Sequence, residues 1–435
     1  MTLARLIKTH LCPLLLIAAM APLAACGGGL REDAKAAPPP PPAAVAPPEP
    51  VEAVPTVPER ADRHFDRGVT KVGLLLPLSG RNAALGQAML DAAQLSLFDI
   101  RDPGIVLVPR DTETQGVGPA AQSAIEDGAK ILLGPIFADA IRAAAPVARH
   151  YRIPLVGFST DRSVAGNGVY ILGFTPQQQV DRIVGYAAGR GWKRLAALVP
   201  QSPYGDMVKH SLQEAAARYG GTVVATETFV EKEEALSGPV ERLAARKTPV
   251  QPAAPLPPPA PGTTAYVPEP AFEYQFDAVL IAAGGGLLKT LAPMLPYYDI
   301  DPARVKFLGT GLWDDASLKN EPALAGALYA GPSPETGATF ANHYRRTYEG
   351  GAPRVASLAY DAVALAAALK KMNPEQPFTY QALNDPKGFA GIDGVFRFGA
   401  DGVAERGLAV IQITPSGASA VEMAPREFGQ PVARP

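Results

Sequence analysis

Along residues 69–415, short unbroken apolar runs alternate with stretches whose apolar positions recur every three to four residues. Val72 to Pro77 is such a run and reads as a buried strand, and Gly86 to Phe98 follows with helical spacing through Met89, Ala92, Ala93 and Leu97. The same rhythm continues in strands at Ile105–Pro109, Ile131–Leu133, Pro154–Phe158, Arg194–Val199, Thr222–Thr228, Ala278–Ala283 and Lys306–Leu308. The intervening helices are read at Val117–Asp127, Asp139–Tyr151, Thr175–Gly191, Tyr204–Tyr219 and Gly286–Tyr297, with two more at Phe340–Glu349 and Ser357–Met372. Strands apolar on both faces, separated by amphipathic helices, imply parallel sheets covered by helices on both sides. About ten units exceed what one open sheet usually holds, so two lobes are the natural division. Right-handed crossovers then gather the strand C-termini on one edge, where ligands bind in such folds.

Two stretches break the pattern. Ten of the 46 prolines fall between Pro38 and Pro58, mixed with Ala, Val and Glu, and nine more fall between Pro249 and Pro270. The first favours extended polyproline II, so residues 26–68 are read as a semi-stiff tether. The second is read as a disordered insertion, residues 247–271, within the second lobe. Residues 416–435 are read as a C-terminal tail.

The leader carries the sharpest local signal. Arg5, Lys8 and His10 precede LCPLLLIAAMAPLA, an apolar run too short to span a bilayer and interrupted by Pro13 and Pro22. Leu23-Ala24-Ala25-Cys26 follows and resembles the lipobox of bacterial lipoproteins. That resemblance implies a signal peptide over 1–25, removal of Cys12 with it, and acyl chains on Cys26 that anchor the mature chain to a membrane. Gly27, where an Asp is absent, resembles lipoproteins sorted to the outer membrane.

Composition mainly excludes. Apolar residues make up 47 % and the formal net charge is −2, so the chain has a core to bury and no basic field for nucleic acid. Its two cysteines both lie in the first 26 residues, so the folded body has neither disulfide nor cysteine metal site. The five histidines are scattered, with no zinc-site spacing. No nucleophile elbow, P-loop or S-x-x-K beside a matching base occurs, so no catalytic residue, metal or cofactor is assigned. Gly284-Gly285-Gly286 is not a dinucleotide fingerprint. Asp314-Asp315 are adjacent acids in a loop and read as a helix cap, with the cleft as the other possibility.

Several segments carry a further resemblance. Lys71-Val-Gly-Leu-Leu-Leu-Pro-Leu-Ser-Gly80, Leu133-Gly-Pro135, Ile153 to Thr160, Ser202-Pro-Tyr-Gly205, Ala359-Tyr-Asp-Ala-Val363 and Phe389 to Gly394 with Phe396, Phe398 and Asp401-Gly402 occur in order. Together they resemble the leucine/isoleucine/valine-binding type of periplasmic binding protein. This implies an α/β, two-lobed periplasmic-binding-protein type I fold, each lobe a parallel sheet flanked by helices and hinged by crossover segments. Lobe 1 is expected over about 69–175 and 316–380, and lobe 2 over about 176–315 and 381–415. Within that superfamily the lipobox, the tether and Phe158 to Gly168 look most like the penicillin-binding protein activator lipoproteins, without the helical-repeat domain of the longer relatives.

The resemblance also points to a cleft. In amino-acid receptors of this fold, small hydroxyl residues and backbone N–H groups after the strands meet the ligand carboxylate. The positions here are Ser79, Pro135, Ile136, Ser159, Thr160, Tyr204, Gly284, Gly285 and Trp313. Pro135 and Ile136 replace hydroxyls, and proline removes an N–H donor. Ser159-Thr160-Asp161 either grips a ligand or caps the next segment. The function implied is a non-enzymatic lipoprotein of the periplasm, anchored to the outer membrane and partnered with a peptidoglycan synthase. The alternative is a solute receptor for an ABC importer of amino acids or amides.

Overall fold

The computed structural model describes residues 68–249, 272–318 and 320–429. Residues 1–25, expected as a signal peptide, Cys26 and most of the expected tether lie outside these residues.

The chain opens with a β/α alternation: β1 (Thr70–Leu76), α1 (Ala83–Ile100), β2 (Ile105–Asp111), α2 (Val117–Glu126), β3 (Ala129–Leu133), α3 (Ala138–Tyr151), β4 (Leu155–Gly157) and β5 (Val169–Ile171). The five strands form one parallel sheet in the order β2-β1-β3-β4-β5. Val72, Leu74, Leu75 and Leu76 are fully buried because helices cover both faces, which is why β1 reads as a continuous apolar run. Helix ends follow local chemistry. The chain leaves α1 and α3 through Arg101 and Arg152 in the left-handed conformation, at φ 55° and 56°.

The second lobe continues with α4 (Pro176–Gly189), β6 (Arg194–Pro200), α5 (Pro203–Arg218), β7 (Thr222–Phe229), α6 (Ser237–Ala244), β8 (Lys247–Pro249), β9 (Phe272–Tyr274), β10 (Ala278–Ile281), α7 (Gly285–Tyr297), β11 (Lys306–Gly309) and β12 (Leu328–Gly331). Proline at the first turn starts α4 and α5, where its missing N–H costs nothing. The chain then returns to the first lobe in α8 (Pro334–Thr347), α9 (Ala356–Met372), the single turn α10 (Tyr380–Leu383) and the antiparallel strands β13 (Phe389–Gly391), β14 (Gly394–Phe398) and β15 (Ala404–Arg406). It ends in the second lobe with β16 (Ala409–Thr414) and β17 (Gly417–Glu422). The second sheet has the order β17-β16-β12-β11-β10-β6-β7, parallel from β12 to β7 and antiparallel at the β16–β17 edge.

Three expectations on domain limits need correction. Residues 328–331, expected in lobe 1, form β12, an interior strand of the lobe 2 sheet between β11 and β16. Residues 389–406, expected in lobe 2, pack into the lobe 1 core, where Phe389, Phe396, Phe398 and Ala404 join α1 and α9. The tail read from 416 contains β17, which pairs with β16. In the first two cases the deciding interaction is a partner distant in sequence, which local periodicity does not encode; in the third it is a hairpin with the neighbouring β16. The insertion read from 247 begins later: Lys247–Pro249 pairs antiparallel with Phe272–Tyr274. Residues 250–271 lie outside the described residues.

The chain therefore passes between lobes three times, at 172–175, 332–333 and 407–408.

Candidate functional site

Because β1, β3 and β4 are parallel, their C-terminal turns lie on one edge of the first sheet; those of β6, β10 and β11 lie on one edge of the second. The expected cleft residues fall on these two edges.

On the first edge, Ser79 follows β1, and its hydroxyl lies 3.3 Å from that of Thr114. Asp111, at the end of β2, accepts the Leu78 and Glu113 N–H groups at 3.0 Å. Burial opposes its charge, yet these bonds, with the Ser79 and Thr114 hydroxyls, hold its carboxyl well below the usual range. Gly134 takes φ +90°, where a Cβ would collide with the Leu75 carbonyl, and is joined to Pro135 by a cis peptide. Pro135 is buried, and its carbonyl accepts the Phe158 N–H at 2.9 Å. Ile136 belongs to the lobe 1 core, leaving Phe137 as the exposed side chain of this turn.

After β4, Ser159 is buried, with its Oγ accepting the Asp161 N–H at 3.0 Å. Thr160 is exposed. Asp161 accepts the Ser163 N–H at 2.9 Å and pairs with Arg142 at 2.8 Å. Although burial raises its pKa, these bonds and the Arg142 charge bring the net value down. The Ser159-Thr160-Asp161 turn thus caps the segment after it.

On the second edge, Ser202 caps α5 through the Gly205 N–H at 3.3 Å. A Cβ on Gly205 would collide with the Pro200 carbonyl. The Tyr204 hydroxyl meets Thr310 Oγ1 at 2.8 Å, and burial pushes its pKa up. Gly284 caps α7 where a Cβ would stand 2.9 Å from that of Leu312, while Gly285 takes φ +54°. The Gly311 N–H, beyond β11, donates to Gln179 Oε1 at 2.9 Å. Trp313 does not open onto this edge. Its ring packs over Gly309 in the lobe 2 core, and its Nε1–H donates to the Ala283 carbonyl at 3.0 Å.

A charged set joins the lobes. Asp314, just past Trp313, accepts from Arg354 Nε at 3.0 Å, and Arg354 Nη2 lies 2.6 Å from Asp393. Ser357 Oγ donates to Asp393 at 2.5 Å. Deeper, the fully buried Arg406 donates twice to the Leu172 carbonyl, at 2.8 and 3.1 Å, and stacks on Phe174 and Phe396. Its Nη1 stands 3.8 Å from the buried Asp361, which accepts the Ile392 N–H at 2.7 Å. Burial and the neighbouring Asp393 push the Asp361 carboxyl up, against the pull of Arg406. Gln178 and Arg182 on α4 bind the same crossover, Arg182 Nε donating to the Leu408 carbonyl at 2.8 Å and Gln178 Oε1 accepting the Arg406 N–H at 3.2 Å. Sequence reasoning assigned no role to Arg354, Asp361, Asp393 or Arg406. Asp361 and Asp393 sit in segments that carried the family resemblance, and that was the one signal available.

A family profile described as "Periplasmic binding protein" matches residues 69–418. The chain belongs to the periplasmic binding protein family. Members of this family are binding proteins of the periplasm or cell exterior rather than enzymes. The solute-binding protein of an ABC transporter from Rhodopseudomonas palustris BisB5, in complex with 3,4-dihydroxy benzoic acid, superposes with a TM-score of 0.57. It is 18 % identical over 85 % of this chain and 99 % of its own. The substrate-binding protein LivJ of Streptococcus pneumoniae, in complex with isoleucine, gives 0.54 at 19 % identity over 81 % and 99 %. A branched-chain amino acid ABC transporter ligand-binding protein from Burkholderia xenovorans LB400 gives 0.61 at 14 % over 83 % and 97 %. These likenesses establish the leucine-binding-type fold. The uncharacterized protein RP748 of Rickettsia prowazekii is 24 % identical over 174 residues, which are 40 % of this chain. The match spans about half, 47 %, of that relative.

Proposed function

We propose that this periplasmic binding protein is a lipid-anchored, non-enzymatic activator of a peptidoglycan synthase, a penicillin-binding protein, rather than a carrier of solute. One observation carries this reading: three polar groups at the strand ends already have partners within the chain. Ser159 serves Asp161, Tyr204 serves Thr310, and the Gly311 N–H serves Gln179. A receptor that grips a charged solute keeps such groups free, since each bond inside the protein must be surrendered to make one to the ligand.

The Cys26 lipobox and the tether complete the reading. Read as polyproline II at about 3.1 Å per residue, roughly 40 residues would reach on the order of 100 Å at most. That suits a domain fixed by acyl chains to the outer membrane and acting on a partner elsewhere in the periplasm. The test is a pull-down of membrane-anchored synthases with the soluble part of the chain, followed by glycan-polymerisation and crosslinking assays. The expected result is binding to one synthase and a raised rate. No binding and no rate change reject the proposal.

The ligand-bound solute receptors among the similar structures favour a second reading, an ABC-importer receptor for amino acids or amides. A thermal-shift screen separates the two. A solute at about 100 times its dissociation constant stabilises its receptor by roughly 2.7 kcal/mol. A response abolished by substitutions at Ser79 and Thr160 supports transport.

A further inference from the structure

We propose that Arg354 is a latch between the lobes: its ion pair with Asp314 fixes the angle between them, and breaking that one contact frees them to rotate about the crossovers. This goes beyond the proposed function, since it concerns how the domain keeps its shape whichever partner it serves.

The anchored half of the latch belongs to lobe 1. Arg354 stands two residues before α9, whose Ala356, Leu358 and Ala359 lie in the lobe 1 core. Its Nη2 lies 2.6 Å from Asp393, and its Nη1 donates to Ser357 Oγ at 3.0 Å. The Asp393 side chain, between β13 and β14, is 0 % exposed. The guanidinium fork is therefore fixed from its own lobe before it reaches Asp314. Little side-chain freedom is left to lose in making that further contact.

The catch belongs to lobe 2. Asp314 ends the turn after β11, and that turn is tied to lobe 2 at nearly every residue. The Thr310 hydroxyl meets that of Tyr204 at 2.8 Å, the Gly311 N–H donates to Gln179 at 2.9 Å, and Trp313 Nε1–H donates to the Ala283 carbonyl at 3.0 Å. Asp314 itself accepts from the Tyr329 hydroxyl. So tied, the turn moves with lobe 2, and Asp314 Oδ2 carries lobe 2 to Arg354 Nε at 3.0 Å.

Three observations separate this pair from an ordinary surface ion pair. The first is its place. Lys370–Asp102 and Arg406–Asp361 stay within lobe 1, and Arg182–Glu422 and Arg194–Asp277 within lobe 2, whereas Asp314–Arg354 joins the two. The second is burial. The Arg354 and Asp314 side chains are 30 % and 28 % exposed, so salt screens them less than a fully solvated pair. The third is the hinge beside it. The Arg354 guanidinium stands 5.5 Å from the ring of Phe174, in the first crossover, and Arg406, next to the third, stands 4.4 Å from the same ring. A hydrogen bond is lost beyond about 3.5 Å, so a modest rotation about the crossovers breaks the pair and the pair resists it. A partner that prefers another lobe angle must break the latch first, and its apparent affinity falls by the fraction of molecules that are unlatched.

Spin labels read the lobe angle directly. With C12S and C26S the full-length chain holds no thiol. Nitroxides are then placed at D139C on α3 and D206C on α5, both exposed and one in each lobe. Their separation is measured by double electron–electron resonance. A rotation of about 15° moves a point roughly 20 Å from the hinge by about 5 Å. D314A is therefore expected to shift the parent distribution, or to add a second population, by about that distance. R354M is expected to do the same, and D314A/R354M to do no more than either alone, since all three remove one contact. If R354M does not fold, because it leaves the buried Asp393 unpaired, D314A decides. K370M, which breaks a pair inside lobe 1, is expected to keep the parent distribution. A D314A distribution that superposes on the parent's overturns the latch, as does a shift in K370M as large as that in D314A. Neither result bears on the synthase assays.

Discussion

Replacing Arg406 with methionine tests the claim that a buried ion pair holds the crossover together. The guanidinium makes two hydrogen bonds to the Leu172 carbonyl, faces Asp361 at 3.8 Å, and stacks on Phe174 at 4.4 Å. Arg406 and Asp361 side chains are both 0 % exposed. Removing one member of a buried pair leaves the other charge unpaired and costs about 3–5 kcal/mol. At roughly 2 °C per kcal/mol, the lower end for larger domains, Tm falls by about 6–10 °C. Methionine keeps most of the apolar stem, so the loss reports mainly the charge and its hydrogen bonds.

The pH dependence is a second reading of the same variant. Asp361 already has a raised carboxyl pKa in the folded protein, and loss of Arg406 removes what opposes the rise. A carboxyl whose folded pKa exceeds its unfolded value favours folding when protonated. Its contribution is fully present below the unfolded pKa, about 3.9, and is lost as pH rises through the higher folded pKa. The deficit of R406M relative to the parent protein should therefore shrink on going from pH 7 to pH 5. The double variant D361N/R406M, which removes both charges, should recover at least about half of the loss at pH 7. Calorimetric or circular-dichroism melts at both pH values provide the assay. A loss below about 1 kcal/mol at pH 7, or a deficit that grows toward pH 5, would refute the reasoning.

Other substitutions probe the two edges and the anchor. Gly205→Ala places a methyl against the Pro200 carbonyl and should cost about 1–3 kcal/mol in denaturant unfolding, because backbone rather than a flexible side chain must yield. Trp313→Ala empties the space above Gly309 and orphans the Ala283 carbonyl, for a loss of about 3–5 kcal/mol measured the same way. Tyr204→Phe removes only the bond to Thr310 and should cost about 0.5–1.5 kcal/mol, and a larger loss would mean that the hydroxyl supports more than this contact. Cys26→Ala should move the protein from the membrane pellet to the soluble fraction, as judged by fractionation and fatty-acid labelling.

The sequence alone determined which segments are strands and which are helices wherever the pattern is local and long. Apolar runs such as Val72–Leu76 and Arg194–Val199 are continuous because helices cover both faces of the sheet, and that cause is written into the run itself. Two short strands escaped: β5 and β12 are three and four residues long and, with only 3-10 turns before them, lack the preceding α-helix that sets off strands of the same length. Only the tertiary structure decided which lobe each late segment joins, since the chain crosses between lobes three times and a strand's sheet is set by its distant partner. It also decided the fate of the cleft residues. Residue type marks Ser159 and Tyr204 as groups free to meet a ligand, but Ser159 Oγ already accepts the Asp161 N–H two residues on, and the Tyr204 hydroxyl meets Thr310 across the fold. The Arg354–Asp314–Asp393 and Arg406–Asp361 groups lie up to tens of residues apart in the chain and have no spacing rule. Burial brings them together, because a charge removed from water must find its opposite wherever the fold provides one.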